Sequence, residues 1–225
     1  VSIMGLKFLT AGGSGSTADA ISCIEYATDM GVDIMSNSWG GGPYDATLEA
    51  AIQAAYDADI FFVAAAGNSG SDNDVNPHYP SNYETPNVIS VMATNCADER
   101  ADEPFWWTSS IGATTVDIAA PGLHIWSTTR NGGYSDFSGT SMATPHVAGA
   151  VALMISSNPG LGHDDIKALL EDTSIDLGEP GKDNTYGTGR VDAYEAVVLT
   201  ATSDGLMTIR EKAGNCSATF SLTVS

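Results

Sequence analysis

Gly139-Thr140-Ser141-Met142-Ala143-Thr144-Pro145-His146-Val147-Ala148-Gly149 is the most informative stretch of this sequence. A glycine turn delivers a serine into the first turn of a long apolar helix. That position sets the Ser141 hydroxyl beside backbone N–H groups that lack intrahelical partners, at the positive end of the helix dipole. Pro145 is tolerated because an early helical position has no intrahelical N–H bond to lose. Ala143, Ala148, Gly149 and Ala150 make a slim face able to press on a sheet, so the helix is expected to run through the middle of the molecule with close neighbours on all sides. On spacing alone, an ordinary serine cap on a buried helix is the favoured reading.

Outward from that helix, apolar runs bounded by glycine alternate with helical patterns, the rhythm of a parallel-sheet α/β domain. Strands are expected at Ile3–Leu9, Asp33–Ser38, Ile60–Ala66, Val88–Ala93 and Val116–Ala119. Ile60–Ala66 (IFFVAAA) is uniformly apolar, as a strand buried on both faces should be. Ser16 or Thr17 caps a helix carrying Ile21, Ile24 and Ala27 on one face. Leu48, Ile52 and Ala55 mark another over Asp45–Asp57. The central helix is expected from about Thr140 to Ser156, with shorter ones near Asp164–Asp172 and Asp192–Leu199. From about Ala201 the texture turns threonine- and serine-rich with period-2 patches, the start of a β-rich extension. The domain reading is therefore 1–200 and 201–225.

The 225 residues suit one domain with a tail, and no run of 18 apolar residues suggests a membrane span. Twenty-eight acidic against eight basic residues give a formal charge of −20, the wrong sign for a phosphate backbone, so nucleic acid is not an expected partner. Cys23, Cys96 and Cys216 form no zinc or CxxC pattern, and one internal disulfide stays open. Asp72-Asn73-Asp74-Val75-Asn76 has the D-x-D-x-N start of a calcium loop without its glycine and distal glutamate, and reads better as a solvated acidic turn.

The stretch from Gly139 to Gly149 closely resembles the nucleophile motif of the subtilisin-like serine proteases, the subtilases. The resemblance runs over roughly residues 1–198. It implies an α/β fold, a parallel-sheet three-layer sandwich of subtilisin type, N-terminally truncated. It further implies a serine endopeptidase that works through an acyl-enzyme, with Ser141 as nucleophile. Ala64-Ala65-Ala66-Gly67-Asn68 resembles the family's oxyanion segment, which makes Asn68 the implied side-chain donor beside the Ser141 N–H. Ser36-Asn37-Ser38-Trp39-Gly40-Gly41 resembles the substrate strand, whose edge pairs with an extended polypeptide. Gly13, Ser14 and Gly15 resemble the strand on the peptide's other side. By the same resemblance Ser38, Trp39 and Gly40 contact substrate, and Ala65, Ala66, Gly67 and His78 line the pocket for the residue before the scissile bond. Trp39 is either pocket wall or core, and the resemblance favours the wall. No cofactor is implied for catalysis. A structural calcium is implied near the carbonyls of Ser81, Tyr83 and Val88 with Asp117, although residues Glu84 to Asn87 are extra to the family pattern there.

A catalytic serine needs a base in reach and a carboxylate orienting that base. His78, His124, His146 and His163 all lie outside the family's histidine motif, and Asp19 and Asp33 lack its aspartate motif. His146, inside the nucleophile motif, reads as structural. The base and acid are therefore expected upstream, in the missing N-terminal part of the same domain, and the chain alone is expected to be inactive. Ile60–Val63 is then expected to be less well covered. A peptide-binding pseudoprotease is the alternative. The resemblance implies a secreted protein, with no membrane partner.

Overall fold

The computed structural model describes residues 1–202, 206–210 and 219–223. In chain order these form α1 (Thr17–Asp29), β1 (Ile34–Asn37), α2 (Ala46–Asp57), β2 (Phe61–Ala65), β3 (Val88–Thr94), β4 (Asp102–Glu103), β5 (Trp107–Thr108), β6 (Ile118–Pro121), β7 (Ile125–Thr129), β8 (Gly133–Phe137), α3 (Thr140–Ser157), α4 (His163–Asp172), α5 (Ala193–Thr202), β9 (Leu206–Arg210) and β10 (Thr219–Thr223). Strands β1, β2, β3 and β6 lie side by side in that order, every pair parallel.

The sheet is covered on both sides, and β2 shows how. Phe61 and Val63 point into one core with Ala143, Val147, Val151 and Met154 of α3 and Ile166 and Leu170 of α4. Phe62 and Ala64 point the other way, against Ile24 and Ala27 of α1 and Ile52 and Ala55 of α2. A strand's side chains alternate, so one uniformly apolar run serves two helical layers. This is the three-layer α/β architecture implied by the sequence. Helix starts follow local chemistry: Ser16 Oγ accepts the Asp19 N–H at 3.1 Å, and Asp45 Oδ1 accepts those of Thr47 and Leu48 at 2.8 and 3.1 Å.

Four expectations need correction. Ile3–Leu9 forms no strand; among the described residues it has no ladder partner, and Val1 and Ile3 are almost fully exposed. A β-pattern becomes a strand only when a neighbour supplies hydrogen bonds. Ile60–Val63 is not poorly covered, since its four residues are at most 2% exposed. The central helix is not enclosed on all sides: Pro145, His146, Gly149 and Leu153 form an exposed stripe. Nor does Gly149 make the close approach; space beside it is open, whereas a Cβ on Gly122 would lie 2.6 Å from Ala93 Cβ and 2.8 Å from Gly139 O.

The β7–β8 hairpin was not anticipated, although Asn131-Gly132 marks it. Both residues have positive φ (66° and 73°), as a tight hairpin turn requires. Strands β9 and β10 pair antiparallel. Cys23 and Cys96 are free thiols, and Cys216 lies outside the described residues. No helix among the described residues is long and apolar enough to cross a membrane.

Candidate active site

The strand ends after β1 and β2 meet the N-terminus of α3, at the carboxyl edge of the parallel sheet where such folds place ligands. Thr140, fully buried, ties them together. Its N–H and hydroxyl both donate to Asn68 Oδ1, at 2.9 and 3.1 Å, and its hydroxyl accepts the Gly67 N–H at 3.2 Å. Two donors aimed at one amide atom fix which end of Asn68 is oxygen. The Nδ2 hydrogens are what the side chain retains to donate, one residue away from Ser141.

Ser141 sits half-buried in the first turn of α3. Its Oγ donates to Ser38 O at 3.3 Å, while Ser38 Oγ donates to Ser141 O at 2.7 Å. The second bond corrects the account of Pro145. Pro145 is the sixth residue of α3, past the N–H groups that have no partner, so its ring does remove a helical bond. The carbonyl left without its N–H is that of Ser141, four residues back, and the Ser38 hydroxyl takes its place. The proline thereby couples the β1 end to the α3 tip.

His146 is exposed, with Nδ1 2.8 Å from Met142 O, one turn back along its own helix. That contact turns its ring along α3. Among the described residues, no histidine or carboxylate side chain hydrogen-bonds to Ser141 Oγ.

His78 fills the gap between the two strand ends. A Cβ built on Gly40 would lie 2.2 Å from His78 Cε1, and one on Gly67 3.0 Å from Cδ2. Only glycines at both positions leave room for the ring, and Gly67 (φ 104°) also requires one for its backbone. Burial lowers the His78 pKa, partly opposed by a hydrogen bond to the Ala65 backbone.

Ala65 and Ala66 are buried beneath Gly67, and Ser38 and Gly40 are exposed beside it. The Trp39 Nε1 donates to Asn37 Oδ1 at 3.0 Å, and its half-buried ring packs on the α1–α2 core and edge-on to Phe8 at 5.2 Å, between the exposed Ser38 and Gly40. Gly13, Ser14 and Gly15 lie in an exposed turn before α1, closed by Thr10 N–H to Ser14 O and joined to the β1 end through Phe8 and Trp39.

Ser81, Tyr83, Val88 and Asp117 do converge, on a cleft of about 360 Å³. Lys167 enters the same cleft and donates to Val88 O at 2.7 Å. Asp74, in the acidic turn, accepts from the N–H and hydroxyl groups of Thr114 and Thr115 at 2.6–3.2 Å. Desolvation opposes its ionisation, but those bonds prevail and lower its pKa.

The chain matches the model of the subtilase family over residues 1–189. It is 38% identical to subtilisin DY of Bacillus licheniformis over 197 residues, covering 87% of this chain and 68% of that protein. It is 37% identical both to thermitase of Thermoactinomyces vulgaris and to alkaline elastase YaB of Bacillus sp. (strain YaB), each over 87% of this chain but 65% and 48% of the relative. The chain thus spans between about half and two thirds of the length of these relatives.

Proposed function

The chain belongs to the subtilase family, a family of serine-type proteases, and from that premise we propose that it carries the nucleophile and oxyanion half of an endopeptidase site. An extended polypeptide would lie along the exposed Ser38–Gly40 edge, within reach of Gly13–Gly15, held by main-chain hydrogen bonds. Ser141 Oγ attacks the scissile carbonyl carbon. The negative charge that forms on its oxygen is met by the Ser141 N–H and Asn68 Nδ2. The carbonyl then re-forms as the C–N bond breaks and the amine leaves with the proton that the base took from Ser141, giving an acyl-enzyme that water hydrolyses. The observation that supports this reading is the Thr140 clamp, which holds Asn68 by its oxygen at the residue before the nucleophile and leaves its amide N–H groups to donate.

In the whole protein, the base and its orienting carboxylate come from outside these residues, and the protein acts outside the cell. Alone, the described residues stabilise charge without removing the Ser141 proton. His78 occupies the floor between Gly40 and Gly67, so the residue before the scissile bond is a short one. No cofactor takes part in the chemistry.

A serine-directed fluorophosphonate tests the division of labour. It is expected to label Ser141 in the full-length protein, to label the 225-residue chain hardly at all, and to fail entirely on Ser141→Ala. Strong Ser141-dependent labelling of the short chain would mean that a base lies within it. An unlabelled full-length protein would make it a peptide-binding pseudoprotease.

A further inference from the structure

The cleft beside Asp117 has an acceptor set suited to a cation, and two lysines reach into it. Asp117 follows the buried Val116 and is 16% exposed at its side chain. Its Oδ2 accepts the Ser90 N–H of β3 at 2.8 Å. Its Oδ1 faces two ammonium groups, Lys167 Nζ from α4 at 3.6 Å and Lys182 Nζ from the loop before α5 at 3.4 Å. The chain has only four lysines against 28 carboxylates, and half of them converge on this one oxygen.

Lys167 also donates to Val88 O at 2.7 Å, so its ammonium bridges a strand carbonyl and a carboxylate. A calcium ion sharing those oxygens would need to sit about 2.3–2.6 Å from each, in space the ammonium already takes. The nearby charge is also of the wrong kind: metal sites gather negative charge, and here two cations meet Asp117. The surrounding backbone fixes the arrangement. Asp117 O accepts the Thr188 N–H at 2.9 Å, and a Cβ on Gly187 would lie 2.4 Å from that oxygen.

We propose that the Lys167 ammonium is a covalently tethered cation that takes the place of a metal ion in the Ser81–Tyr83–Val88–Asp117 cleft, linking α4 to the ends of β3 and β6. The cleft is then independent of calcium and sodium. Its cation cannot be removed by chelation.

The test is thermal unfolding of the full chain in choline chloride, NaCl or CaCl2 at matched ionic strength, with calorimetric titration of CaCl2. For the wild type, the unfolding midpoint is expected to differ by less than about 1 °C among the three salts, with no saturable binding that Asp117→Asn removes. Lys167→Met keeps the length of the side chain and loses its charge. Its midpoint is expected to fall by about 3 °C or more in choline chloride and to recover at least in part in CaCl2 or NaCl. Lys167→Arg should stay indifferent to the salt. Saturable calcium binding to the wild type, lost in Asp117→Asn, would overturn the proposal. So would a Lys167→Met protein of unchanged stability in choline chloride. Should Lys167→Met fail to fold, the wild-type titration against Asp117→Asn decides.

Discussion

Strand β2 and the three residues that follow it are held in different ways. Phe61 to Ala65 are buried and fixed by apolar contact on both faces, with little polar chemistry in their side chains. Ala66, Gly67 and Asn68 are fixed by directed bonds: Asn73 Nδ2 to Ala66 O at 2.8 Å, Gly67 N–H to Thr140 Oγ1, and Thr140 N–H to Asn68 Oδ1. Apolar contact is non-directional and sets where the strand lies. Hydrogen bonds are directional and set which end of the Asn68 amide is held at Thr140. One continuous segment thus passes from a part held by packing to a part held by directed bonds, where the proposed chemistry lies.

The sharpest way to break this contrast is at its apolar end. Phe62→Ala empties a fully buried site and is expected to cost about 3–5 kcal/mol in denaturant unfolding, with no change in labelling or cleavage chemistry under conditions where the protein remains folded. A folded variant with a collapsed kcat would show that the two parts are not separable.

At the polar end, Asn68→Ala in the full-length protein should lower kcat about 10²–10³-fold while leaving KM nearly unchanged, a magnitude taken from subtilisin, where such an asparagine has been removed. Stability should fall by only about 1–2 kcal/mol, through the two lost bonds to Thr140. A rise in KM with kcat intact would assign Asn68 to substrate binding instead.

His78 lies where the two parts join, and its effects should be the smallest. His78→Gly is expected to improve kcat/KM for peptides with a large apolar residue before the scissile bond by about tenfold or more relative to alanine. Unaltered selectivity would remove His78 from the pocket. The same ring gives a pH test. Its folded pKa is depressed, so the unfolded chain takes up the proton first. The stability it contributes is complete above about pH 6.5 and is lost as pH falls through the depressed value. His78→Gln should flatten that part of the stability profile.

Much of this was legible in the residues themselves. The run from Ile60 to Ala66 is a doubly buried strand because no side chain in it could face water at low cost, and the caps at Ser16 and Asp45 act within three residues of themselves. Ser141 and Asn68 were legible as motif residues, but the link that ties Asn68 to the residue before Ser141 was not. It depends on Thr140, which in sequence is one more threonine before a helix, 72 residues from Asn68. An indole suits both a core and a pocket wall, and the contacts of Trp39 with Phe8 and Asn37 exist only in the fold.

By itself, then, the sequence determined the layers, the helix that carries Ser141 and the glycine-bounded turn that carries Asn68, because periodicity, capping and turn chemistry act over a few residues. Only the tertiary structure decided the rest. Ile3–Leu9 has the pattern of a strand and no partner to make it one. Pro145 lost a helical bond that a serine 107 residues back in sequence from Pro145 replaces. Lys167 meets Val88 and Asp117 only because α4 packs it there. Each turns on a donor meeting an acceptor far away along the chain, and only folding brings such pairs together.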